Sequence, residues 1–313
     1  MYKPLFRRIA EENHEIPDAW IYDELPQNVK IQIWREIIKL RDILPNDEFC
    51  SLMAFVKRYF CDEIGLKNIG SYYDSDAKSL EEFFCDGLYE VSNMQNSRYA
   101  LSFIELICRL LKIRSDEITD TVVKNKILSM INVINYRLRE AKIGWVFNIE
   151  VNLMLKVDNE ATYQLTVEPM FRLLSDINFN ETQKDFVKAY EAYQCGGYKD
   201  LETAVDYCVK SLESAIRNIC VRKNYVFNKN ATLHPLIQTL LKNKYLHNYH
   251  DDYLNSISKL LLEAGVIRNK ITGHGKEEEK ANDVRNDLND NLVAFILAQT
   301  ASCIVFLVKN LNY

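Results

Sequence analysis

Helix-breaking residues are scarce in this chain, with only 9 glycines and 6 prolines among 313 residues. Long stretches with apolar residues at helical spacing lie between them, and the pattern predicts a mainly α-helical protein. An excess of positive charge is also missing. The net charge of −5 argues against a general nucleic-acid coat protein, which would be strongly basic. The balance is uneven: residues 1–180 hold 22 Lys+Arg against 28 Asp+Glu, whereas residues 181–313 hold 17 against 16. The second part can therefore carry a local positive site without long-range steering of an anionic partner. No C-x-x-C pair occurs among the eight cysteines (50, 61, 85, 108, 195, 208, 220 and 303). Reduced, mostly buried thiols fit better than zinc ligands or disulfides. The opening stretch MYKPLFRRIAEENHE lacks the apolar run of a signal peptide. The most hydrophobic segment, Leu292 to Val308, carries Gln299, Thr300 and Ser302 near its centre. It falls short of the roughly 20 apolar residues that span a bilayer. It reads as a buried core helix of a cytoplasmic protein with no membrane association.

What is present is helix after helix. Pro26 suits a helix start, and a helical pattern runs from about Val29 to Leu44, where Pro45 ends it. Further helices are expected near 48–62, 79–91, 99–113, 118–140 and 165–176. GWVFNIEVNLMLKV, from Gly144 to Val157, is rich in β-branched and aromatic residues. It predicts one small hairpin turning between Asn148 and Asn152. The polar stretch DINFNETQ, Asp176 to Gln183, is the best candidate junction between two domains, residues 1–180 and 181–313, either as a linker or as continuous helix-turn-helix packing. Beyond it five helices are expected, at about 184–195, 198–223, 232–244, 251–268 and 281–310. Joined by short loops, they describe a compact bundle.

Histidine is scarce too, with five in all, and imidazole is the natural proton carrier near neutral pH. The segment VIRNKITGHG places His274 between two glycines, with Arg268 and Lys270 close by in sequence. Cleavage of RNA by the neighbouring ribose hydroxyl needs a base, an acid and a cation at the phosphorane, and no metal. Histidine supplies the proton transfer, and the guanidinium fork suits the phosphate oxygens. The spacing by itself discriminates poorly, because Arg8 and His14 repeat it within an acidic surface stretch. His247 and His250, beside Asp251 and Asp252, invite a metal reading. Without a convincing third ligand, a solvated loop is favoured. Glu213 and Arg217, one helical turn apart, read in isolation as a surface salt bridge of small worth.

Taken in order, three segments resemble the abortive infection C-terminal family of the HEPN superfamily. AYEAYQCGGYKDLETAVDYCVKSLESAIRNIC is similar to that family's opening helix pair, whose Glu-x-x-x-Lys/Arg element here is Glu213 and Arg217. LLEAGVIRNKITGHG is similar to its arginine–histidine segment, and AQTASCIVFLVKN to its closing helix. Thr272 stands where family members often have glycine. More weakly, LPQNVKIQIW and INYRLREAKIGWVFN resemble an AbiJ-like N-terminal domain, thought to sense or gate. The resemblance implies a HEPN-type helical bundle preceded by a mostly helical domain with a small hairpin. It also implies an antiphage, toxin-like endoribonuclease that needs neither metal nor other cofactor. His274 would be general acid/base, Arg268 the phosphate clamp and Asn269 an orienting group, with Glu213, Arg217 and Lys270 accessory. The site would be composite, completed across a homodimer, and would act on single-stranded or loop RNA, transfer RNA included. A phage-encoded trigger or a cognate antitoxin would control it. The alternative is a non-catalytic HEPN module that binds RNA or a protein partner.

Overall fold

The computed structural model describes residues 20–70, 75–88, 91–157, 162–246, 249–272 and 288–312. Backbone packing divides the chain into two units, residues 1–157 and 158–313. Both are mainly helical, and the described strands amount to one antiparallel pair.

The first unit contains α1 (Gln27–Ile37), α2 (Asn46–Ile64), α3 (Asp76–Asp86), α4 (Asn93–Glu117) and α5 (Thr121–Glu140), followed by β1 (Trp145–Asn148) and β2 (Leu153–Lys156). Pro26 caps α1 as expected. The α-helix closes earlier than the sequence pattern suggests, passing into a 3-10 segment, Ile38–Asp42, while Pro45 caps α2. Val29, Ile33, Trp34 and Ile37 are the face that α1 buries, whereas Ile31 remains 37% exposed. An aromatic cluster forms the middle of this core. Phe103 has Phe84 at 4.8 Å, Phe60 at 5.8 Å and Trp34 at 6.1 Å between ring centroids. The hairpin is present in the expected place, with Asn148 opposite Leu153 and Asn152 in the left-handed region (φ 55°) of the connecting turn.

Gly144 is the tightest backbone position in this unit. Its amide donates to the Ile21 carbonyl at 2.9 Å, and its carbonyl accepts from Val157 at 2.9 Å. An added Cβ would stand 2.1 Å from the Tyr22 ring, which its own hydroxyl pins to the Val157 carbonyl at 3.0 Å. Gly144→Ala is therefore expected to destabilise the first unit by about 1–3 kcal/mol through overpacking. Thermal denaturation reads the effect, and an unchanged midpoint would mean that Tyr22 yields freely.

The second unit begins with a π-helical turn, Tyr163–Val167, that leads into α6 (Glu168–Asp176). It continues with α7 (Asn180–Cys195), α8 (Tyr198–Arg222), α9 (Leu233–Lys242), α10 (Asp251–Thr272) and α11 (Asp290–Lys309). The packing division after Val157 thus lies ahead of the junction suggested near residue 180. Helix α6 accounts for the difference: its buried Met170, Phe171 and Leu174 belong to the second core, and Phe171 meets Phe186 of α7 edge-on at 5.6 Å. Within the polar stretch 176–183 only residues 177–179 form a turn between α6 and α7, with Asn178 at φ 56° and Phe179 buried, which is the helix-turn-helix alternative and no free linker. Gly196, at φ 73°, closes α7 in the left-handed conformation that glycine adopts without penalty. Two residues then suffice to turn the chain into α8, making a tightly packed helical hairpin.

Among the described residues, α11 is the helix long and apolar enough to cross a membrane. Its Val293, Ile296, Leu297, Ile304 and Leu307 are buried, and it packs on α8, α6 and α7. It is a core helix, as its sequence suggested. Of its expected span, 281–287 lie outside the described residues. Helix α10 runs past its expected end at Arg268 to Thr272, because no glycine or proline intervenes before Gly273. Cys61, Cys108, Cys208, Cys220 and Cys303 are buried free thiols, and burial pushes Cys208 and Cys303 up to about 12.

Candidate functional site

Helix α8 carries two different faces. Leu201, Val205, Cys208, Leu212, Ile216 and Ile219 are buried in the core. Asp206, Lys210, Glu213 and Arg217 recur at intervals of 4, 3 and 4 residues, which places them in one stripe along the helix.

Glu213 is the most enclosed member of that stripe, at 7% exposure. Its Oε1 accepts the Leu233 amide at 2.9 Å, and its Oε2 accepts from Arg217 Nη2 at 3.1 Å. The same Arg217 nitrogen donates to the Ala231 carbonyl at 2.7 Å. Leu233 is the first residue of α9, so the carboxylate sits at the positive end of that helix. Together these bonds tie the segment between α8 and α9 back onto α8. The pair is therefore more than an isolated surface salt bridge, because the sequence spacing says nothing of the Leu233 and Ala231 contacts that bury it.

Helix α10 packs against α8 and brings Arg268 to the stripe. Leu261 and Ala264 are buried, and Arg268 follows them at the interval that keeps it on the same face. Gly265 lets α10 come close to α9, since an added Cβ would meet Leu233 Cδ2 at 3.2 Å. Arg268 Nη1 lies 3.7 Å from Asp206 Oδ1 and 4.0 Å from Glu213 Oε1. Both are ion-pair separations longer than a hydrogen bond. Only 21% of its side chain is exposed. On the far side of Asp206, Lys210 Nζ lies 2.7 Å from Oδ2, and this bond pushes the ammonium pKa up. Lys210 also lies over the Tyr207 ring at 4.5 Å, with Lys188 of α7 at 5.3 Å from the same ring. The carboxyl of Asp185, also on α7, is pushed up by burial against the opposing pull of Lys188, Lys210 and Arg217.

Residues 180–311 match the family described as Abi_C, a HEPN-like domain. The second unit carries a HEPN-like domain. The matched span begins at the first residue of α7 and ends just beyond α11, covering fewer than half of the 313 residues. No curated protein and no solved structure matches the chain.

Of the residues singled out in sequence, the HEPN-like domain brings Glu213, Arg217 and Arg268 together. Asn269 is exposed on the next position of α10, and Lys270 belongs to that helix with its side chain outside the described residues. His274 and His247 lie outside the described residues altogether. His250 pairs with Asp252 at 3.7 Å, with 74% and 90% of the two side chains exposed. Such a pair contributes little. Among the described residues no group of three or more His, Cys, Asp or Glu could hold a metal ion. Sequence reasoning missed Asp206 and Lys210. The signal was available: they repeat, seven residues earlier, the acid-then-base pair of Glu213 and Arg217.

Proposed function

We propose that the HEPN-like domain is an endoribonuclease of abortive infection, acting on single-stranded or loop RNA without a metal. The observation that carries this reading is the meeting of Arg268 with the Glu213–Arg217 pair, which lie more than 50 residues apart in sequence. A guanidinium oriented by carboxylates and backed by further cations is suited to grip a phosphodiester. His274, six residues on, would take the 2′-hydroxyl proton and return one to the leaving oxygen. Asn269, exposed beside Arg268, and Lys270 would orient the strand. A homodimer would double Arg217, Arg268 and Lys270 around one axis and give a positive groove that a single copy of this acidic chain lacks. The first unit would then act as the AbiJ-like sensing or regulatory domain, responding to a phage-encoded trigger or a cognate antitoxin. Loop RNA, transfer RNA included, is the substrate class whose backbone and bases are open to such a groove.

Purified protein incubated with total RNA is the direct test. Wild type is expected to produce discrete fragments and His274→Ala to leave the RNA intact. Equal cleavage by both proteins would remove His274 from the chemistry.

One observation favours a second reading. Arg268 is already flanked by two carboxylates, an arrangement that also serves a non-catalytic module binding RNA or a protein through the same face. RNA retained without fragments would select it.

A further inference from the structure

The charged groups around Arg268 form an ordered ladder: Lys210, Asp206, Arg268, Glu213, Arg217, alternating in sign at 2.7, 3.7, 4.0 and 3.1 Å. The two carboxylates that face Arg268 each have their own cation four residues further along α8. The two arms differ in depth. Glu213 is fixed by the α9 amide and is 9% exposed at its side chain, whereas Asp206 and Lys210 are 33% and 46% exposed. One arm is enclosed, and the other is partly exposed.

We infer that Asp206 is a positioning residue for the Arg268 guanidinium, and that Lys210 offsets the Asp206 charge so that a phosphodiester can approach. This inference rests on the RNA-cleaving reading of Arg268. The Arg268 side chain lies in the last turns of α10 and reaches across to two carboxylates of α8. Asp206 adds a second pull on the same Nη1 nitrogen, at 3.7 Å beside the 4.0 Å of Glu213, and so sets where that end of the fork stands over α8. A bare carboxylate there would repel phosphate at close range, by a few-fold in affinity at water-like screening. Lys210, on the other oxygen of the same carboxylate, cancels that repulsion and adds an anion contact of its own.

The two members of one ion pair should therefore act in opposite directions on binding. This is an outcome that loss of a merely structural salt bridge would not produce. The experiment uses the full chain, a single-stranded RNA oligonucleotide for turnover, and the same oligonucleotide with 2′-O-methyl groups for binding. Asp206→Asn is expected to tighten Kd ~3-fold while lowering kcat ~10-fold, because misplacement of a positioned group is costly. Asp206→Glu should restore most of kcat. Lys210→Gln is expected to weaken Kd ~3-fold and to reduce the salt dependence of binding by about one counterion. The double variant should return Kd close to wild type. Shifts of Kd in the same direction in both single variants, or an unchanged kcat in Asp206→Asn, would overturn the inference while leaving the nuclease reading intact. A wild-type protein that neither binds nor cleaves RNA would overturn both.

Discussion

On the proposed ribonuclease reading, replacing Arg268 by alanine is expected to lower RNA cleavage by about 10²–10³-fold, the scale on which a preformed charge at a transition state acts, while leaving the fold intact. The ladder explains why the two effects separate. Removing a half-buried cation usually strands its carboxylates, but here Asp206 keeps Lys210 at 2.7 Å, and Glu213 keeps Arg217 at 3.1 Å together with the Leu233 amide. The thermal midpoint of Arg268→Ala should accordingly stay near that of wild type. Arg268→Lys keeps the charge but loses the planar fork. Both carboxylates face the one Nη1 nitrogen, so an ammonium can stand between them, but it cannot grip a phosphate through two parallel bonds and should recover only part of the activity. The measurement is single-turnover cleavage of an RNA oligonucleotide beside a melting curve for each variant. Full activity in Arg268→Ala would remove this guanidinium from the reaction.

The second large effect concerns Glu213, where stability and activity should fall together. Glu213→Ala is expected to destabilise the second unit by about 3–5 kcal/mol, the cost of breaking a buried ion pair from one side. Three groups lose their partner at once. The α9 amide of Leu233 loses its acceptor, Arg217 is left with the Ala231 carbonyl, and Arg268 loses one of its two flanking carboxylates. Glu213→Gln keeps the shape and can still accept the Leu233 amide, so its cost should be about 1.5–3 kcal/mol, that of one hydrogen bond to a charged group. Chemical denaturation separates the two variants. Equal midpoints for Ala, Gln and wild type would show that the α8–α9 connection is held by apolar packing alone. A few kcal/mol is a large share of the stability of a domain this size, so Glu213→Ala should also lose activity through unfolding. Glu213→Gln is then the variant that reports on the site.

These two residues also show what the sequence marks and what it leaves open. Arg268 and the Glu213–Arg217 pair could be chosen from sequence because a motif marks them. The depth of Glu213 could not, since its partners, Leu233 and Ala231, are backbone groups whose position depends on how the loop after α8 folds back. Asp206 escaped for a similar reason. On a helical wheel it is one more exposed acid beside Lys210, and only the approach of α10 makes it a neighbour of Arg268. Along α1 the apolar pattern of Ile31, Ile33 and Trp34 is clear in the sequence, but which of these residues face inward depends on what packs against them.

Local physics was enough for much of this protein. The rarity of glycine and proline, the period of the apolar residues, the β-branched run around Val146 and the glycine stop at Gly196 settled the helical class, the limits of helices such as α8 and the place of the hairpin. Each of these is an interaction within a few residues along the chain. Helix α3, however, ends at Asp86 and not near 91, and α4 spans Asn93–Glu117 and not 99–113. Tertiary structure alone decided that α6 belongs with the second core, that Glu213 is buried at the start of α9, and that Arg268 stands between two carboxylates of α8. Those outcomes depend on contacts between segments tens of residues apart, whose energies no local pattern records.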